Sequence, residues 1–365
     1  MSGTVTKTRI GFVGVGPVGQ CAHLRHFATI ADCEVAALAT TRETLGRAVA
    51  ARYGIPRLYR SADDMLAAEK LDGIVAIQPY ARHETLVPRL LQARIPVMIE
   101  KPLAQSVEAG ERIAAAAEAA GTWVMVAYHK ICDPAVEFAL SEIARLRGSA
   151  AAGAMTYVRS TMPPGDWRGG GAFDALADGA PYADRGHARP PADADPERFR
   201  LYCRFINYYS HQTNLVRRIL GEPFAADYAD PSGVLLAGRS RGGTPCLIEI
   251  EPYRTSRDWQ ESMLICFQRA WVRLELPAPL AIAACGRVEV FEDPGGDAGP
   301  RRFSPVLPPV PAMRRQAESF VRALRGAGRP PCDALEALED LRLARDYLRL
   351  WKETSIGPAG RPDSC

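Results

Sequence analysis

Arg9-Ile10-Gly11-Phe12-Val13 runs without a break into Gly14-Val15-Gly16-Pro17-Val18-Gly19, and this stretch says what kind of sheet the chain builds. The first five residues read as a short buried strand. The next six are G-x-G-x-x-G, and helical periodicity follows from Gln20 to about Ile30. In that context Gly14 admits a tight turn, Gly16 lets backbone approach a pyrophosphate, and Gly19 lets helix pack on strand. The helix N-terminus adds N–H groups and the positive end of its dipole. The reading is a dinucleotide site that includes Gly14, Gly16, Pro17, Val18 and Gly19.

Working outward, strands are expected at residues 34–39, 72–78, 95–100 and 123–128, and helices at 61–69, 82–93 (with Pro88 inside) and 106–120. Such alternation argues for a parallel, doubly wound sheet. Where dinucleotide sites often place an acid for the ribose 2′-OH, this chain has Thr40, Thr41 and Arg42. Two hydroxyls and a guanidinium suit a 2′-phosphate, so the reading leans slightly to NADP(H) over NAD(H). The competing reading makes Thr40 a helix cap with Glu43 as its capping-box partner, and Arg42 solvated. Gln78-Pro79 and Ile99-Glu100-Lys101-Pro102-Leu103-Ala104 each follow a strand, so both turns should face the crevice at the strand ends.

At 365 residues two domains are expected. Hydrophobic content of 47% and charged content of 24% fit a globular protein. Lys+Arg 45 against Asp+Glu 42 leaves +3, which makes no case for a nucleic-acid partner. Nine cysteines without a C-x-x-C pair and six histidines without H-E-x-x-H suggest reduced thiols and no metal site. The first seven residues are polar, and no run approaches the ~20 apolar residues of a membrane helix, so no membrane partner and a cytoplasmic location are expected.

Gly14–Gly19, Gln78-Pro79-Tyr80-Ala81-Arg82-His83 and Glu100-Lys101-Pro102-Leu103-Ala104 resemble the Gfo/Idh/MocA family, named for glucose-fructose oxidoreductase, inositol dehydrogenase and rhizopine catabolism. The Glu-Lys-Pro turn is its most specific short mark. Tyr128-His129-Lys130-Ile131-Cys132-Asp133-Pro134 resembles the family's hinge segment, with Asp133 as N-cap and Pro134 at the first position of the next helix. The resemblance covers nearly the whole chain and is strongest to about residue 135. It implies a Rossmann domain at 1–128, an α+β domain with an open, mostly antiparallel sheet at 129–355, and a flexible tail at 356–365. It also implies a homodimer or homotetramer paired through that sheet.

In the second domain a helix is expected at 201–221, with Asn207, His211 and Asn214 on one face at i, i+4 and i+7. The resemblance puts the family's catalytic histidine at His211. Asn207 stands where the family has an aspartate; it can orient an imidazole but adds no charge. Strands are expected at 234–239, 246–251, 263–268, 271–276 and 288–292, a proline-rich connector at 300–311, and closing helices at 314–325 and 333–353. Residues 162–200 form a long Gly/Pro/Ala/Asp-rich insertion containing Trp167 and Tyr182, of the kind that often serves as a binding loop.

The implied chemistry is hydride transfer between a nicotinamide and a secondary alcohol or ketone of a sugar, nucleotide-sugar, cyclitol or related polyol. Lys101 would hold the reacting oxygen and His211 would exchange its proton, with Asn207 assisting. Gln78, Pro79, His83, Glu100 and Lys101 would border the cofactor. His129, Lys130, Trp167, Asn207, His211 and Asn214 would contact substrate. Two alternatives stand beside this: a redox-neutral lyase or hydrolase passing through a transient keto-sugar, and a non-catalytic nucleotide-binding subunit.

Overall fold

The computed structural model describes residues 6–169, 173–180 and 195–351. The expected tail at 356–365 and Tyr182 of the insertion lie outside the described residues. The chain divides into two compact units.

The first unit takes the chain up to His129, the described residues 173–180, and Met313–Leu341. Its strands are β1 (Thr8–Val13), β2 (Cys33–Ala39), β3 (Leu58–Tyr59), β4 (Gly73–Ala76), β5 (Val97–Ile99) and β6 (Val124–Val126). They form one sheet in the order β3-β2-β1-β4-β5-β6, every pair parallel. β4, β5 and β6 are buried at every residue, as expected of strands covered on both faces. The strand order reverses between β1 and β4, where Val13 pairs with Ala39 on one side and Ala76 on the other. In such sheets this reversal opens the ligand crevice.

The late helix Ala312–Leu324 completes this core. The Phe320 ring meets Phe27 and Trp123 edge-on, at 6.1 Å and 5.6 Å between centroids, and has no exposed surface. Backbone bonds then tie Cys332 O to the N–H of Val126 (3.0 Å), beside a bridge between Met125 and Asp333. The expected second domain at 129–355 is therefore not a single stretch of chain. Residues 313–341 complete the apolar face of the first sheet, which a cut at 128 would leave bare.

The second unit has β7 (Met155–Met162), β8 (Phe224–Ala229), β9 (Leu235–Ser240), β10 (Pro245–Ile250), β11 (Glu261–Phe267), β12 (Ala270–Leu276), β13 (Arg287–Glu292) and β14 (Arg301–Phe303). They lie in the order β14-β13-β12-β11-β7-β10-β9-β8, and only β7 with β10 is parallel. Alternating burial, as in β11, matches a sheet with one face on a core. The fold class read from the sequence holds: a parallel Rossmann sheet and an α+β unit with a mostly antiparallel sheet.

Three local expectations change. The sequence reading has no strand at β8 or β14; Arg301–Phe303 falls inside its proline-rich connector, but this Arg-Arg-Phe lies between Pro300 and Pro305 and pairs with β13. The helix expected at 201–221 is two, Pro196–Tyr208 and Ser210–Leu220. The bonds Tyr209 N–H to Phe205 O (2.8 Å) and Thr213 N–H to Tyr209 O (3.0 Å) continue the spiral through the joint. After the glycine turn, the first stretch is a π-helical segment, Gly19–Leu24, that passes into Arg25–Phe27.

Candidate active site

The glycine turn lies at the strand-order reversal. Gly14 has φ +108°, and a Cβ there would sit 2.4 Å from Ile77 O and from Gln78 Nε2, so no other residue fits. Gly14 N–H bonds Ala39 O at 3.0 Å and Ile77 N–H bonds Val13 O at 3.0 Å, which brings the ends of β1, β2 and β4 together. Val18, at the helix start, makes no side-chain cap, and Gln20 N–H already bonds Gly16 O at 3.0 Å. Gly16 and Pro17 are half-buried and Val18 is exposed. A tight glycine cradle followed at once by an uncapped helix start suits a dinucleotide pyrophosphate.

Gln78 is half-buried and Pro79 exposed just beyond β4. His83 is wholly buried; its Nδ1 lies 3.1 Å from Leu103 O, so it braces the turn that carries Lys101. Burial lowers its pKa, against the raising pull of Leu103 O and Glu100. Glu100 and Lys101 end β5 half-buried, with a cis peptide between Lys101 and Pro102. Glu100 Oε1 is 2.6 Å from His23 Nε2, and its Oε2 accepts the Lys101 N–H at 3.1 Å. Burial works to raise the Glu100 pKa, but the His23 bond and the charges of His23 and Lys101 bring it below the ordinary carboxylate range. His23 is absent from the sequence reading: nothing distinguishes a lone histidine on an apolar helix face.

Thr40 Oγ1 accepts the Arg42 N–H at 3.2 Å, and Arg42, not Thr40, occupies the cap position of helix Glu43–Tyr53. Arg42 also holds Asp178 of the insertion in a bidentate pair, with Nε 3.1 Å from Oδ2. Thr41 is exposed.

His129–Cys132 form a tight turn that begins on the last residue of the first unit's leading stretch and runs into the second unit. Asp133 caps the next helix, accepting Ala135 N–H at 2.8 Å, with Pro134 following, as the sequence indicates. It also accepts Gly286 N–H at 2.9 Å. Burial raises its pKa to about 6, although both backbone bonds pull it down. His129 and Lys130 are buried. Lys130 Nζ pairs with Glu261, whose carboxylate also accepts Gln212 Nε2 at 2.8 Å and Trp259 Nε1 at 3.1 Å. Burial lowers the Lys130 pKa while Glu261 opposes it.

His211 and Asn214 lie on helix Ser210–Leu220, 7% and 4% exposed. Asn207, half-buried, belongs to the preceding helix, whose spiral continues through Tyr209 to His211 and Asn214. Trp167 is 37% exposed, and its carbonyl accepts Leu280 N–H at 3.2 Å. Among the described residues, no group of three or more His, Cys, Asp and Glu is placed to hold a metal ion, and no helix is long and apolar enough to cross a membrane.

A parallel sheet in the order 3-2-1-4-5-6, with its glycine turn at the reversal, is the arrangement of a dinucleotide-binding Rossmann domain. Residues 8–128 match the Gfo/Idh/MocA oxidoreductase family, NAD-binding Rossmann fold. It is 31% identical over 134 residues to a D-apiose dehydrogenase of Paraburkholderia graminis, covering 37% of this chain and 36% of that one. It is also 31% identical over 134 residues to an inositol 2-dehydrogenase of Acidothermus cellulolyticus, covering 36% and 39%. The matched part thus spans well under half the length of these relatives. Over the whole fold it is similar to the crystal structure of an oxidoreductase domain protein from Kribbella flavida, with TM-score 0.72, 18% identity, and 94% and 97% of the two chains covered.

Proposed function

We propose that the protein is an NAD(P)-dependent oxidoreductase acting on a secondary alcohol or ketone of a sugar, cyclitol or related polyol. The single observation that carries this is the Lys101 turn, held at the end of β5 by Glu100, His23 and His83 beside the glycine cradle. The relatives' names add the substrate class: a pentose and a cyclitol share a ring or chain of secondary carbinols.

Gly14, Gly16, Pro17, Val18 and Gly19 are the groups proposed to hold the pyrophosphate, with Gln78, Pro79 and the Glu100-Lys101 turn at the nicotinamide end. His83, being buried, acts through the turn it braces. When bound, the nicotinamide accepts or supplies the hydride. Lys101 then holds the substrate oxygen and stabilises negative charge developing there. His211 takes the hydroxyl proton in oxidation and returns it in reduction. Asn207 orients ring or substrate, and His129, Asn214 and Trp167 are the proposed hydroxyl and ring contacts. Lys130, committed to Glu261, is proposed to shape that pocket from behind. Thr40, Thr41 and Arg42 carry no negative charge, which supports a slight preference for NADP(H) over NAD(H). We also propose pairing through the second unit's sheet, which light scattering would test.

The test is reduction of NAD or NADP by the purified chain against a panel of aldoses, cyclitols and nucleotide-sugars, with product analysis. Net nucleotide reduction supports the assignment. Substrate conversion with no net nucleotide change would favour the redox-neutral alternative, and nucleotide binding without any conversion across the panel would favour a non-catalytic subunit.

A further inference from the structure

The insertion sends one segment onto the first unit's nucleotide half. Gln20, the residue after the glycine turn, clasps Leu176: its Nε2 donates to Leu176 O at 3.0 Å and its Oε1 accepts Leu176 N–H at 2.9 Å. The Leu176 side chain packs against the core that includes Phe12 and Leu38. Arg52 holds Asp174, and Arg42 holds Asp178 while donating to Ala180 O at 3.1 Å. The residue that the end of β2 offers to a ribose substituent is thus already gripped by a carboxylate from about 135 residues further along.

We propose that Asp178 is a cofactor-selectivity residue: an acid carried by the insertion to the end of β2, where Thr40 and Thr41 stand in place of one. This rests on the dinucleotide reading above. Arg42 presents one planar donor fork. A 2′-phosphate and the Asp178 carboxylate compete for that fork and repel each other, whereas a ribose 2′-hydroxyl carries no charge and can donate to a carboxylate. Asp178 therefore holds down an NADP(H) preference that Arg42 would otherwise make large. Arg42 and Asp178 are both mostly shielded, at 18% and 16% side-chain exposure, so salt screens their competition only in part.

The experiment is calorimetric titration of NADH and NADPH into the full-length chain freed of bound nucleotide, as wild type, Asp178→Asn, Arg42→Ala, the double variant, and Asp174→Asn. Asp178→Asn is expected to tighten NADPH by about tenfold, the scale of one charge-assisted hydrogen bond, and to leave NADH within about twofold. That gain should vanish in the Arg42→Ala background. Asp174→Asn loosens the same segment at Arg52 without touching Arg42, so it should leave the NADPH/NADH ratio unchanged. Wild-type binding of both nucleotides with no ratio change in Asp178→Asn overturns the inference alone. So does an equal change in the Arg42→Ala background, or a shift of the same size in Asp174→Asn. Failure of wild type to bind either nucleotide overturns the dinucleotide reading and the inference with it.

Discussion

Each unit carries a lysine close to a glutamate, and the two are built to opposite ends. In the first unit Glu100 is taken by His23 and by the Lys101 backbone N–H, and the Lys101 side chain is left half-buried at a strand end. In the second unit Lys130 and Glu261 are 4% and 0% exposed at the side chain and bind each other, with Gln212 and Trp259 filling the remaining acceptor sites. In the first unit the carboxylate serves a histidine and the backbone of the turn. When the carboxylate turns to the lysine, the result is a buried support.

The strongest break of this contrast is Lys130→Met. It leaves the Glu261 carboxylate buried beside neutral donors only, and urea denaturation should show a loss of about 3–5 kcal/mol. Adding Glu261→Gln should recover much of that loss; a single-variant loss under about 1 kcal/mol would place Lys130 outside the support role. Lys101→Met should do the reverse, leaving stability and nucleotide binding near wild type. Single-turnover rates should fall by roughly 10²–10³, as when an oxyanion donor is removed. His211→Ala should cost roughly 10²–10⁴ in the same assay, and near-wild-type rates would move the proton role to another group.

The smallest effect concerns pH. The Asp133 carboxyl is raised to about 6 by burial, so between its unfolded value and about 6 the folded chain binds the extra proton. This contribution to stability is greatest at low pH and is lost as pH rises through about 6. Asp133→Asn keeps an oxygen for the Ala135 and Gly286 N–H groups. The stability of wild type relative to this variant should therefore grow by about 1.4 kcal/mol per pH unit on going from 6 towards 4. A flat difference across that range would show that Asp133 ionises normally.

Much of the first unit was legible because its signals are local. The glycine turn needs Gly14 for its φ, and the apolar runs of β4 to β6 need both faces covered. Capping by Asp133 was equally readable, its side chain accepting the Ala135 N–H. What could not be read depends on partners distant in sequence. Nothing around His23 announces Glu100, nothing around Lys130 announces Glu261, and Asp178 sits in a low-complexity stretch with no sign that it will meet Arg42. The break at Tyr209 has no helix-breaking residue to mark it, and Phe320 shows only that its helix has an apolar face.

The return of Phe320 to Phe27 and Trp123 also orders how the protein can be made. A ribosome that has finished β6 has released every strand of the first sheet but not the helix that covers it. At about 5–20 residues per second, roughly ten seconds or more of synthesis separate Trp123 from Phe320. Throughout that interval the nascent first unit exposes the apolar ground beneath Ala317, Phe320 and Val321, while the whole second sheet emerges between them. The early half of this chain therefore depends on the late half to finish folding, and a truncation before residue 313 removes part of the core of the nucleotide-binding unit.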